Sequence, residues 1–319
     1  MNKCLILASA ALAILTGCAP TGTGGTGGTG GAGGTGGTGG TGGTARTCAT
    51  DIDVGEVQAF GEPTPMRTEG ITFDADGNLF VSALDDSEAD DQLLSVTTEG
   101  TFAVAAEAES LLGLESHANG IIAAGIDTGE LLLIDPETGE TEPIATGLGK
   151  PNFVVTTPWD TMLVSDDTMG EDTIDEVTWD GEVSTWVADV PTPNGMVFSL
   201  DHRTLYVATT FTEPGLWRVP VSEDGQAGMP VKWVSFEDNT FPDGVAIDSE
   251  GNVYVALNLA GQIAQVDPEG ELTIIAEDVA FAASLAFGQG DFDPCSIYVT
   301  SLFDTQLWHV GIGILGTEK

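Results

Sequence analysis

Positive charge is nearly missing from this chain. Eight Lys and Arg stand against fifty Asp and Glu in 319 residues, a formal net charge of -42. That balance excludes nucleic acid and an anionic lipid surface as electrostatic partners. Histidine is equally scarce, at three residues, and Cys and His are nowhere grouped at zinc-ligand spacing. No Gly-x-Ser-x-Gly elbow and no His-Glu-x-x-His motif occurs, so serine-hydrolase and zincin chemistry have no support. No segment keeps a helical period over a helix length. No apolar run reaches the roughly 20 residues that a spanning helix needs.

The one apolar run, Leu5 to Leu15, follows Lys3 and ends at Gly17-Cys18. It reads as a secretory signal peptide over residues 1–17. Leu15-Thr-Gly-Cys18 resembles a bacterial lipobox, which implies lipidation of Cys18 and attachment to a membrane by the lipid anchor only. The expected location is exported, facing the periplasm or the cell surface. Residues 18–50 are then the lipidated Cys18 and a Gly/Thr-rich linker. Its Gly22, Gly24 and Gly27 spell GxGxxG with no strand before and no helix after, so the match is compositional. A coil of that kind spans roughly 30 Å. Cys48 and Cys295 remain as an even pair in an exported chain. They suit a disulfide, with two buried thiols as the alternative.

From residue 51 to 319, short Val/Ile/Leu-rich strands alternate with Gly, Asp and Asn turns. The stretch Phe241 to Ala256 gives the unit: Pro-Asp243-Gly, an apolar strand, the turn Asp248–Asn252, and a return strand. Copies begin at Glu69, Asn152 and Asn194, with weaker ones near Leu111 and Ala283. From Glu69 to Asn152 is 83 residues, two repeats; then 42 to Asn194, 49 to Asp243 and 40 to Ala283. Six such repeats, each followed by a second hairpin, predict an all-β, six-bladed β-propeller. The last blade ends one strand short, and Asp51 to Phe60 is available to close it. A Cys48–Cys295 bridge would staple that closure. A monomer is expected.

The residue that opens each innermost strand of a propeller faces the central channel. Those positions hold Glu69, an apolar residue (Leu111 or Leu112), Asn152, Asn194, Asp243 and Ala283. One Asp-Gly or Asn-Gly is ordinary turn chemistry. Four oxygen donors in one register instead suit a hard cation, Ca2+ or else Mg2+ or Mn2+. Asp74-Ala-Asp-Gly-Asn78 starts like an EF-hand loop but has Leu79 where Gly is needed, so it reads as a hairpin turn. His117 and His202 read as turn residues away from the channel, and His309 as packed or exposed in a late strand.

These blade sequences resemble the gluconolactonase, senescence marker protein (regucalcin) and luciferin-regenerating enzyme family, over about residues 60 to 312. Glu69-Gly, Asn152, Pro-Asn194-Gly and Pro-Asp243-Gly carry the resemblance. It implies a divalent metal, usually Ca2+, held by Glu69, Asn152, Asn194 and Asp243. It also implies hydrolysis of a small-molecule substrate, a lactone or related ester, with Asp243 as general base or nucleophile. Asn152 departs from the family's usual Asn-Asp-Gly, because Phe153 follows it. Lys150 falls where relatives keep a substrate-touching Arg. The alternative is a non-catalytic propeller that binds a partner, with or without a structural metal.

Overall fold

The computed structural model describes Cys48 and residues 51–317 except 88, 167–169 and 171. The signal segment, Cys18 and the linker lie outside the described residues. Among those described there is no helix, and the strands form six four-stranded antiparallel sheets.

The first blade runs β2 (Arg67–Phe73), β3 (Leu79–Leu84), β4 (Asp91–Val96), β5 (Phe102–Ala108). The second has β6 (Leu114–His117), β7 (Gly120–Gly125), β8 (Glu130–Ile134), β9 (Thr141–Thr146); the third β10 (Pro151–Thr156), β11 (Met162–Asp166), β12 (Thr173–Val177), β13 (Val183–Ala188). Next come β14 (Pro193–Phe198), β15 (Thr204–Thr209), β16 (Gly215–Pro220), β17 (Val231–Ser235), and then β18 (Pro242–Ile247), β19 (Val253–Leu257), β20 (Gln262–Val266), β21 (Leu272–Ala276). The sixth blade takes strands from both ends of the chain: β22 (Ala282–Phe287), β23 (Ser296–Ser301), β24 (Leu307–Gly311) and β1 (Val57–Phe60).

Sequence dictates which strand goes where. Blades stack face to face, so second strands such as β3 and β19 are buried on both faces and are apolar but for Ser82. Outer strands such as β9 are exposed over most of their length and carry Thr and Glu. The hairpin turns are closed by their own carboxylates. Asp74 Oδ1 accepts the N–H groups of Asp76 (3.0 Å) and Asn78 (2.8 Å), and Asp248 Oδ1 those of Glu250 (2.8 Å) and Asn252 (2.9 Å). Asp74 therefore works as a turn cap, as the hairpin reading expects.

The ring closes through β1, which pairs with β24 from Val57↔Val310 to Phe60↔Leu307. Cys48 and Cys295 form a disulfide with a Cα–Cα distance of 5.7 Å, joining positions 247 apart. The Asp51 N–H adds a bond to Asp293 Oδ2 (3.1 Å). His309, buried in this blade, stacks on Tyr298 with ring centroids 4.8 Å apart. Burial holds its imidazole below the usual histidine pKa, against the pull of Asp293 and Asp51. His117 ends β6, where it packs on Trp179 instead of sitting in a turn. His202 is exposed in its turn.

Candidate functional site

Five of the six innermost strands break register at the same place. Pairing skips from Thr68 to Ile71, Pro151 to Val154, Pro193 to Met196, Pro242 to Val245, and Ala282 to Leu285. Each gap is a β-bulge, and the two skipped residues start with Glu69, Asn152, Asn194, Asp243 or Ala283. A bulge re-aims a side chain out of the pleat. Here it turns the same position of each blade out of its own ladder. In the second blade Leu112-Gly113 stands just ahead of β6, and Leu112, not Leu111, holds the equivalent place. Leu111 belongs to the core between the first two blades.

The blades crowd closely at this level. A Cβ on Gly195 would fall on the carbonyl of Asp243 in the next blade, and one on Gly113 on the carbonyl of Asn152. Glycine follows these channel residues because two innermost strands touch there.

All four oxygen-donor residues are buried: Glu69 2%, Asn152 3%, Asn194 3% and Asp243 5% exposed. Two of them leave an amide oxygen unsatisfied. Oδ1 of Asn152 and Oδ1 of Asn194 are buried with no hydrogen-bond donor, an arrangement that costs free energy unless something polar completes it. For Asn194 the orientation is fixed from behind. Thr210 Oγ1 gives its proton to the Pro242 carbonyl (2.7 Å) and accepts from Asn194 Nδ2 (3.1 Å). With that proton committed, the amide must present nitrogen to Thr210 and oxygen to the channel. Asp243 is held similarly: Asn258 Nδ2 donates to Asp243 Oδ2 (3.2 Å) and to the Phe281 carbonyl (3.3 Å).

Hydroxyls on the second strands satisfy the bulged backbone. Ser82 Oγ accepts the Gly70 N–H (2.7 Å), Ser165 Oγ that of Phe153 (3.1 Å), and Thr300 Oγ1 that of Ser284 (2.9 Å). Thr300 also donates to the Glu69 carbonyl, so it ties the last blade to the first. These positioning residues were missed in the sequence. Their signal was a hydroxyl or amide late in the second strand (Ser82, Ser165, Thr300) or just past it (Thr210, Asn258) in five repeats.

The donor set is all oxygen, half carboxylate and half amide, and it fits a hard divalent cation. Among the described residues no group of three or more His, Cys, Asp or Glu is gathered at one place, which leaves the two amides as indispensable members of any cation site here. On either side of Glu69 the ring is apolar: Leu112 and Ala283 cluster with Leu84 and Leu302. Lys150 stands one residue ahead of β10 on the same face. It is half-buried, and its backbone N–H donates to Asp166 Oδ2 (2.8 Å).

Beyond the bulges the channel continues into a cavity of about 390 Å3, lined by inner-strand side chains such as Phe73, Leu114, Phe153, Met196, Val245 and Phe287. The C-terminal segment reaches the rim of this cavity, where Thr317 Oγ1 bonds to the Ile247 carbonyl (3.4 Å).

Known proteins share this fold. Pentonolactonase XacC of Haloferax volcanii is 28% identical over 202 residues, covering 61% of this chain and 68% of that protein. A gluconolactonase structure from Xanthomonas campestris superposes with TM-score 0.66 at 18% identity, covering 84% of this chain and 98% of that one. Regucalcin of Agrobacterium tumefaciens, described as a calcium-binding protein, superposes with TM-score 0.66 at 22% identity over 80% and 93% of the two chains. At such identities the superpositions speak for the fold. The sequence model of the SMP-30/Gluconolactonase/LRE-like region matches residues 94–303, and the chain belongs to that family.

Proposed function

We propose that this protein is a divalent-metal-dependent hydrolase of a small lactone or related ester, with Ca2+ as the metal, displayed outside the cytoplasm on a lipid-anchored tether. The observation that carries the reading is the pair of buried, unsatisfied amide oxygens of Asn152 and Asn194, in register with the carboxylates of Glu69 and Asp243. Such a cradle answers to a hard cation, and family membership supplies the lactonase chemistry.

Glu69, Asn152, Asn194 and Asp243 would hold the ion. Bound there, it supplies Lewis-acid polarisation of the ester carbonyl and compensates the negative charge that develops on it. The protein's own groups do the rest. Asp243, aligned by Asn258, takes the proton of the attacking water. Thr210 keeps the Asn194 oxygen facing the channel, and Lys150 at the rim meets the carboxylate of the product. A nucleophilic role for Asp243 would instead leave solvent oxygen-18 in its carboxylate after a single turnover.

Display outside the cytoplasm is supported by the signal segment and by the Cys48–Cys295 disulfide, which suits an oxidising compartment. Among the described residues no helix is long and apolar enough to cross a membrane. Labelling with an alkyne fatty acid, lost in Cys18→Ala, tests the anchor.

The deciding experiment titrates Ca2+ into the full-length protein and follows acid release from a panel of aldono- and alkyl-lactones. Turnover that chelator abolishes and Ca2+ restores is the expected result. Metal binding without turnover of any lactone would overturn the hydrolase in favour of a binding propeller. Turnover that survives in Asp243→Ala would remove Asp243 from its role.

A further inference from the structure

The channel mouth is lopsided, and the apolar side points to a substrate class. We propose, resting on the hydrolase reading above, that the site takes an amphiphilic lactone or ester. Its carbonyl meets the polar arc of Asn152, Asn194 and Asp243. Its alkyl or aryl substituent passes Leu302 and runs out between two pairs of phenylalanines.

The pairs are Phe211 with Phe241, ring centroids 5.4 Å apart, and Phe281 with Phe303, 5.5 Å apart, both edge to face. All four sit on the face where the innermost strands begin, because they flank the paired residues Pro193↔Thr209, Pro242↔Leu257 and Ala282↔Ser301. Three are half-buried, and Phe303 is 42% exposed. Three of them are tied to channel residues. The Phe281 carbonyl shares the Asn258 amide with Asp243 and also accepts the Leu302 N–H (3.0 Å). Phe241 stands two residues before Asp243, and its carbonyl takes the Asn258 N–H (2.9 Å). Phe211 follows Thr210, the residue that orients Asn194.

Backbone strain accompanies both pairs. Phe241 and Phe281 have φ of 54° and 53°, in the left-handed region. A turn needing that conformation takes Gly or Asn at little cost, whereas a bulky side chain there is an outlier. Strain of this kind collects at ligand clamps. In both blades the strained residue spends its side chain on a half-exposed aromatic pair at the mouth rather than in the core. The Phe281–Phe303 pair is continuous in sequence with Leu302 and Ala283, so the apolar surface that the pair presents at the mouth is backed by buried apolar residues of the channel wall. A polyhydroxylated ring set against that surface would lose its hydration and find no donors; an alkyl chain gains by leaving water.

The test uses the full-length Ca2+-loaded protein and δ-lactones whose ring carries no substituent or an n-alkyl tail of two, four or six carbons, with glucono-δ-lactone as the polyhydroxylated counterpart. Expected is a rise in kcat/KM of about threefold per methylene, as burial of each CH2 predicts, with glucono-δ-lactone far behind the hexyl lactone. Phe303→Ala, at an exposed tip, should erase at least tenfold of the hexyl advantage. Titration calorimetry with δ-lactams bearing the same tails reads binding without hydrolysis. Lactam affinity that climbs with tail length while no lactone turns over would sink the hydrolase and leave the apolar wall standing. Flat lactam affinity, preference for glucono-δ-lactone, or a tail dependence that survives in both Phe303→Ala and Phe211→Ala overturns the proposal.

Discussion

Thr210 is the sharpest place to test the cation cradle, because it touches no expected ligand except through one amide nitrogen. Thr210→Val keeps the shape of the side chain and removes the hydroxyl. Two buried groups then lose their partners, Asn194 Nδ2 and the Pro242 carbonyl, which sit 3.1 and 2.7 Å from Oγ1. An unsatisfied buried group costs about 1–3 kcal/mol, so the two together should lower stability by about 2–6 kcal/mol. The second consequence is specific. Freed from Thr210, the Asn194 amide no longer has to present oxygen to the channel, and loss of such an orienting partner typically weakens a metal site by about 10–100-fold. Calorimetric titration of Ca2+ reads that change directly, and thermal unfolding without Ca2+ reads the stability change alone. Thr210→Ser should restore both. If Thr210→Val unfolds earlier yet binds Ca2+ within about twofold of wild type, the hydroxyl is structural and the orientation argument for Asn194 fails.

Other outcomes follow from the same geometry. Reducing Cys48–Cys295, or replacing both residues by Ser, opens a loop that joins positions 247 apart and should cost about 3–5 kcal/mol, read as a lower unfolding midpoint in denaturant. Gly195→Ala drives a methyl into the Asp243 carbonyl; it should destabilise by about 1–3 kcal/mol and weaken Ca2+ binding too, since it shifts two channel residues. His309 has a folded pKa depressed by burial, so the unfolded chain binds the proton more readily. Its contribution to stability is complete above the unfolded value of about 6.5 and is lost as pH falls through the folded value. The wild-type midpoint should therefore drop more steeply below pH 6.5 than that of His309→Phe.

The propeller was legible because its cause is repetitive. A strand buried on both faces must be largely apolar, and β3, β11, β15, β19 and β23 announce themselves at that spacing. The closing strand could be found by subtraction, since the last repeat lacks one strand and Val57–Phe60 lies unassigned before the first. The weak second repeat was harder. Its innermost strand β6 is only four residues long and its channel position is apolar, so neither polarity nor Asn-Gly marked the register. Leu111 and Leu112 are equivalent as sequence. They separate only when Leu111 sinks into the wall between blades and Leu112 takes the channel.

The functional site was half legible, and the division is physical. Glu69, Asn152, Asn194 and Asp243 stand at matching repeat positions, so alignment alone brings them to one register. What alignment cannot supply is the bulge, which five of the six innermost strands carry at this position. The flanking strain is hidden for a different reason. Sequence signals left-handed backbone through Gly and Asn, but Thr192, Phe241 and Phe281 adopt φ of 43°, 54° and 53°. In all three the carbonyl of the strained residue accepts the N–H that caps a second strand, from Thr210, Asn258 and Leu302. Two of those partners, Thr210 and Asn258, also hold Asn194 and Asp243. One bend thus does two things. It re-aims the chain into the bulge, and at residues 241 and 281 it turns an aromatic ring to the mouth. A Gly in either place would make the bend more cheaply and lose the ring. Thr192 makes the same bend fully buried and without a ring, so the bend belongs to the fold, and the aromatic choice at residues 241 and 281 is the part that the proposed substrate contact explains.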